Sequence, residues 1–161
     1  MTDFQGLLQA LSSAGVEFIL VGGAAATAHG AARLTQDVDI VYFRSQENLV
    51  KLVAALKDKE PYLRGAPPGL PFRWDGETIK RGLNFTLTTS LGDLDLLGEI
   101  VGGGTYEQLL PHCILIEVFG VKCRCLDLEH LILVKRAAGR PKDLEAIAEL
   151  EAIVEERRKS S

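Results

Sequence analysis

Residues 18–41 read FILVGGAAATAHGAARLTQDVDIV, and the order of chemistry along them decides the fold. A short apolar run halts at Gly22 and Gly23, an alanine-rich stretch with helical character follows to about Ala32, and a second apolar run opens as DVDIVYF. Apolar runs of this length bounded by glycine read as buried strands, so the glycine pair marks a strand-to-helix turn. Strand side chains alternate in direction: Asp37 and Asp39 share one face, while Val38 and Ile40 take the other. The two aspartate Cα atoms then stand roughly 6.6 Å apart. Like charges at that spacing beside a core raise a carboxyl pKa or weaken the strand. A divalent cation removes the conflict, because magnesium is usually held by one or two carboxylates completed by water and phosphate oxygens.

On the N-terminal side, Phe4, Leu7, Leu8 and Leu11 recur at helical spacing, which predicts a helix over 3–14 stopped by Gly15, then a strand over 16–21. Beyond DVDIVYF, Ser45 is placed to cap a helix through Lys57 with Leu49, Leu52, Val53 and Leu56 on one side. Residues 60–76, rich in proline and glycine, read as a long ordered loop of the kind tied to function or motion. LNFTLTT and DLDLLGEI form an antiparallel hairpin, a short helix falls at 106–110, and ILIEVFGVKCRCL is a second hairpin turning near Phe119-Gly120. Asp127 caps a helix over 128–138, and Pro141 opens a last helix to about Arg158. The order α-β-α-β-α, then mainly β, then α-α argues against a purely parallel doubly wound sheet. It predicts one α/β domain of the α+β type over 1–161, with a mixed twisted sheet, helices mainly on one face, and the C-terminal helices 128–158 packed on it.

The 161 residues, 47% of them hydrophobic and 25% charged, suffice for one domain with a substantial core. A net charge of -4 supplies no global basic field to hold a long nucleic acid, so a small or protein partner fits better. No apolar stretch reaches the length of a membrane span and the N-terminal residues lack a signal-peptide pattern, which predicts a cytoplasmic protein. An odd number of cysteines, 3, suits reduced thiols. Cys123 and Cys125 fall on one strand face without a second ligand pair at zinc spacing.

A second aspartate pair, Asp93 and Asp95, repeats the alternation, with Leu94 and Leu96 opposite. If the two acidic strands are neighbours, at least three carboxylates converge, as in sites of two-metal phosphoryl transfer. The bland alternative makes Asp93 a turn residue beside Gly92. Gly22 and Gly23, after a strand and before a helix, present free backbone amides to an anion with no side chain in the way. They do not make the G-x-G-x-x-G of dinucleotide-binding folds. Lys135 lies on the apolar stripe of its helix with Leu128, Leu131 and Ile132, so it either snorkels to the surface or meets a phosphate. Asp143 suits the start of the last helix whatever its function. His29, His112 and His130 share no ligand spacing.

These residues together resemble the polymerase-beta superfamily of nucleotidyltransferases, whose motif is an apolar strand, a Gly-Gly or Gly-Ser pair, a short helix, then Asp-x-Asp with a third carboxylate on a later strand. LVGG followed by DVDIV is similar to the first part, and LDLLGEI to the third-carboxylate strand, favouring Asp95 over Asp93. RLTQDVDI resembles a variant in small bacterial nucleotidyltransferases, including those of abortive-infection and toxin–antitoxin systems. LVKRAAGRPKDLEAIAEL is similar to their C-terminal segment. The resemblance spans about 16 to 150. It implies transfer of a nucleoside monophosphate from an NTP to an acceptor hydroxyl with release of pyrophosphate. Asp37, Asp39 and Asp95 would be the catalytic residues and hold two Mg2+ ions (Mn2+ also suits such ligands). Gly22, Gly23, Arg33, Thr35 and Lys135 would bind the nucleotide, with Arg140 and Asp143 near it. The acceptor, whether RNA, protein or small molecule, is not specified by any motif; residues 60–76, a second copy of the chain or a partner protein would have to grip a large one. A non-catalytic, antitoxin-like binding protein and a metal-dependent nuclease remain alternatives on the same acidic cluster.

Overall fold

Asp3 accepts a hydrogen bond from the Gly6 amide and starts α1 (Phe4–Ser13), whose Leu7, Leu8 and Leu11 are completely buried. The computed structural model describes residues 1–32 and 35–160. β1 (Phe18–Val21) is buried along its whole length, and α2 (Gly22–Ala28) follows without a linker. β2 (Asp37–Tyr42) alternates half-buried aspartates with buried Val38 and Ile40 before its last residues enter the core. α3 (Gln46–Leu56) is capped by Ser45 as its sequence predicts. Then come β3 (Tyr62–Leu63), α4 (Gly76–Arg81), β4 (Phe85–Thr89), β5 (Gly92–Leu97), β6 (Glu99–Ile100), β7 (Gly104–Thr105) and α5 (Tyr106–Leu109). A 3-10 turn (Leu110–His112) leads into β8 (Cys113–Val118), β9 (Val121–Leu126), α6 (Leu128–Ala138) and α7 (Pro141–Ser160).

A 7-stranded sheet has the order β3-β4-β5-β2-β1-β9-β8. β1 runs antiparallel to β2 and parallel to β9, β2 is parallel to β5, and the outer pairs β4·β5, β3·β4 and β8·β9 are antiparallel. The sheet is therefore mixed, as the element order predicts. α1 packs on α3, β2, β5 and β9; α2 lies against β1 and β2 and meets α6, which in turn pairs with α7. Among the described residues no helix is long and apolar enough to cross a membrane.

Three segments differ from the reading of the sequence, one being DLDLLGEI, which breaks at Gly98 into β5 and a separate β6 paired with β7. The 60–76 stretch contains the two-residue strand β3, which pairs Tyr62 with Thr88 and Leu63 with Leu87 at the sheet edge. It ends in α4, whose cap Asp75 accepts from the Thr78 amide. A two-residue strand has no periodicity to read, and six helical residues with one buried apolar side chain, Ile79, offer no amphipathic repeat. α2 also ends earlier than about Ala32, at Ala28.

Buried Asn48 ties the core's edge together. Its Oδ1 accepts from the Glu17 amide at 2.7 Å, and its Nδ2 donates to the carbonyls of Glu17 at 3.0 Å and Phe43 at 2.7 Å. Replacing Asn48 by Leu strands these backbone groups, so we expect a loss of about 3 kcal/mol in urea unfolding. A loss below about 1 kcal/mol would show that water reaches them instead.

Candidate functional site

The register of three central strands builds an acidic block. Val21 faces Asp39 across the antiparallel β1–β2 pair, and the parallel β2–β5 pair sets Asp37 opposite Asp93 and Asp39 opposite Asp95. Because side chains alternate, Val38, Ile40, Leu94 and Leu96 are fully buried on the opposite face, and the four aspartates share one surface. Carboxylate oxygens of Asp37, Asp39 and Asp95 lie within 4.8 Å of one another. Asp95 is thus the third member by position, and its side chain is 18% exposed against 36% for Asp93.

The chain enters this block through Gly22, whose φ of +67° lies in the left-handed region. A Cβ there would run into the Asp39 carboxylate, so the position needs both the torsion and the absence of a side chain. At Gly23 a Cβ would sit 2.8 Å from Thr35 Oγ1. That hydroxyl donates at 3.2 Å to the Asp37 carbonyl and at 3.2 Å to Asp37 Oδ1, fixing the start of β2. Arg33, a nucleotide-binding candidate, lies outside the described residues.

Sequence reasoning missed Arg64. Leaving β3, its Nη2 donates to Asp95 Oδ1 at 2.7 Å and to the Leu87 carbonyl at 2.8 Å, while Nε stands 3.5 Å from Asp93 Oδ2 and Nη1 3.8 Å from Asp37 Oδ2. One guanidinium thus meets three of the four carboxylates. Nothing around residue 64 in the sequence signals this, because the contact depends on pairing of a two-residue edge strand with β4.

Asp39 is the group left without such help. Burial, then the charges of Asp37 and Asp95, push its carboxyl up to about 8, with Lys135 pulling the other way. Burial also raises Asp95, against the opposing pull of a hydrogen bond with Asp39 and of Arg64. Without a cation, burial and the neighbouring like charges favour the protonated form of Asp39. Asp39 Oδ1 is buried and accepts no hydrogen bond among the described residues. Three converging hard carboxylates, one with an orphaned buried oxygen, fit magnesium well.

α6 carries Lys135 toward Asp39. Burial lowers its ammonium pKa, against the attraction of Asp143 and Asp39. Asp143 is 2% exposed and accepts from Arg140 at N (3.1 Å), Nε (2.7 Å) and Nη2 (3.2 Å), so it fixes the α6–α7 corner. A cleft of about 470 Å³ runs over Gly22, Gly23, Thr35, the four aspartates, Lys135 and Arg140. A second cavity of about 450 Å³ shares Gly22, Asp39, Lys135 and Arg140 with it and continues over Leu97, Ile100, Leu131 and Val134. A further cavity of about 540 Å³, along α7, lies beside His29 and Arg157. There the imidazole is spent on structure: Nε2 donates to the Leu126 carbonyl at 2.9 Å and Nδ1 accepts from Arg157 at 3.2 Å.

Comparison with solved structures gives a consistent neighbourhood. The lincosamide antibiotic adenylyltransferase LnuA, in its lincomycin-bound crystal structure, superposes with a TM-score of 0.61 at 17% identity, over 94% of this chain and 98% of that one. The antibiotic-resistance factor ANT(2'')-Ia gives 0.56 at 16%, over 96% and 89%. The fold is that of the nucleotidyltransferases. An antigenic nucleotidyltransferase-like protein from Paracoccidioides brasiliensis adds 0.55 at 18%, over 91% and 72%. No family model matches the sequence, and no curated protein sequence matches it. With identities this low the likeness is one of fold. In this chain the acidic block lies on β2 and β5, beside the end of β1.

Proposed function

We propose that the chain transfers a nucleoside monophosphate from an NTP to a hydroxyl of a small-molecule acceptor and releases pyrophosphate. The observation that carries this reading is the strand register that stacks Asp39 on Asp95 and Asp37 on Asp93 beside the Gly22 turn. Asp37, Asp39 and Asp95 would hold Mg2+, which when bound neutralises phosphate charge and makes the acceptor hydroxyl more acidic. The amides after the Gly22 turn face the terminal phosphates, where no Cβ blocks approach. Lys135 adds positive charge beside Asp39. Asp95 takes the hydroxyl proton as the acceptor oxygen bonds to the α-phosphorus and the bond to the leaving pyrophosphate breaks.

The cavities and the charge support a small-molecule acceptor. Two adjoining spaces of about 470 and 450 Å³ have the size of small-ligand sites, and a chain of net charge -4 has no overall field to hold RNA. Among structures with this fold, LnuA is seen with lincomycin and ANT(2'')-Ia with adenylyl-2''-tobramycin, both small molecules.

The test is incubation with Mg2+, each α-labelled NTP, and separate pools of hydroxylated small molecules, RNA and protein. Label should pass to a small molecule with stoichiometric pyrophosphate, and Asp37→Asn with Asp39→Asn should abolish it. Label in RNA or protein would overturn the acceptor class. Strand cleavage without NTP would identify a nuclease. Unchanged metal and NTP binding in the double variant would remove the catalytic reading.

A further inference from the structure

Away from the cleft, the fold assembles a second set of metal-ligating side chains that sequence spacing does not reveal. His112 ends the 3-10 turn before β8, while Asp127 and His130 lie at the start of α6. The Asp127 amide donates to the His112 carbonyl at 2.9 Å and draws the two segments together. The imidazoles of His112 and His130 stack at 3.8 Å between centroids, and ligand atoms of His112, Asp127 and His130 all lie within 4.8 Å of one another.

The hydrogen bonds leave the correct atoms available. Asp127 Oδ1 accepts from the His130 amide and from His130 Nδ1, each at 2.8 Å. A dication that displaces the proton between them meets His130 Nδ1 and the Asp127 carboxylate together. Neither Asp127 Oδ2 nor either ring nitrogen of His112 makes a hydrogen bond among the described residues. The cap bond of α6 and a metal bond to Asp127 therefore use different oxygens.

We infer that His112, Asp127 and His130 form a binding site for a transition-metal dication of the zinc type, distinct from the magnesium-type carboxylates of the cleft. Two imidazole nitrogens and one carboxylate oxygen are borderline ligands suited to zinc, cobalt or nickel, whereas hard oxygen clusters suit magnesium. Zinc bonds to nitrogen of about 2.0–2.1 Å place neighbouring ligands about 3.4 Å apart in a tetrahedron. Closure from the present spacing takes side-chain rotations, including a turn of one stacked ring. The fourth position falls to water. The ion clasps the 3-10 turn to the first turn of α6, the helix that delivers Lys135 to Asp39, so its occupancy sets how firmly that helix is seated.

The site is independent of the reading of the cleft, and the experiment keeps the two apart. The full chain carrying Asp37→Asn and Asp39→Asn, stripped of metal, is titrated with Co2+ alone. One equivalent should produce intense visible d–d bands of low-coordinate cobalt, and Zn2+ should displace it. His112→Gln and His130→Gln should each weaken binding at least about 10-fold. Asp127→Asn, which retains a capping oxygen, should do the same while leaving the fold intact by circular dichroism. Zn2+ should raise the melting temperature of the doubly substituted chain and leave that of its His112→Gln form unchanged. A cobalt spectrum that stays that of the hydrated ion, or an affinity indifferent to His112→Gln, overturns the site.

Discussion

Asp39→Asn should abolish the proposed nucleotidyl transfer and, at the same time, make the metal-free protein more stable at alkaline pH. The carboxyl of Asp39 is pushed up to about 8 by burial and by Asp37 and Asp95, whereas an unfolded aspartate titrates near its ordinary value of 3.8. The folded state therefore holds a proton that the unfolded chain gives up first. That contribution is fully present below about pH 4, and it is lost as pH rises through the interval to about 8. Above it, the native protein carries a buried unpaired charge at a cost of several kcal/mol. An asparagine of the same shape never bears that charge. At pH 8.5 without metal the variant should melt about 5 °C or more above the parent, and at pH 4.5 the two should nearly coincide. Added Mg2+ should raise the parent and leave the variant almost unmoved. Activity should fall on the order of 10³-fold, equivalent to about 4 kcal/mol of lost transition-state stabilisation. Melting curves in the two buffers, with and without Mg2+, check this; coincident curves at pH 8.5 would mean that water already solvates Asp39.

Arg64→Ala should have the opposite signature. The guanidinium supplies positive charge to Asp95, Asp93 and Asp37 through contacts at 2.7, 3.5 and 3.8 Å, and its side chain is 30% exposed. Truncating one partner of a largely buried pair leaves the other charged group unpaired; with partial solvent screening we expect a loss of about 2 kcal/mol in the metal-free state. A divalent cation would replace the missing charge, so the Mg2+-dependent rise in melting temperature should be larger in the variant than in the parent. Arg64→Lys should recover only part of the loss, since an ammonium lacks the planar fork that spans neighbouring carboxylates. Equal Mg2+-induced shifts in parent and Ala variant, measured by calorimetry, would show that Arg64 does not share the carboxylates with the cation.

Most of the scaffold was legible because each long element carries its own signal. The 3-4 spacing of Leu7, Leu8 and Leu11, the Ser45 and Asp127 caps, and the alternation in DVDIV and DLDLL are local patterns, and local physics realises them. The pairing of the two aspartate strands was only conditional in the sequence. Their parallel register supplies the condition, placing Asp95 across from Asp39. β3 and α4 were illegible because neither is long enough to show a period. His112 and His130 were dismissed on spacing, yet the β8–β9 hairpin returns the chain so that residues 18 positions apart stack their rings.

The amino-acid sequence alone determined the glycine turn, the carboxylate strand and the sharing of one face by Asp37 and Asp39, because torsional preference and side-chain alternation act within a few residues. Only the tertiary structure decided which cation meets those carboxylates. Arg64 reaches them through the edge pairing of β3 with β4, and the charge of Lys135 is felt by Asp39 through the docking of α6. Charge interactions depend on distance through space rather than along the chain, so no local pattern could have named these partners.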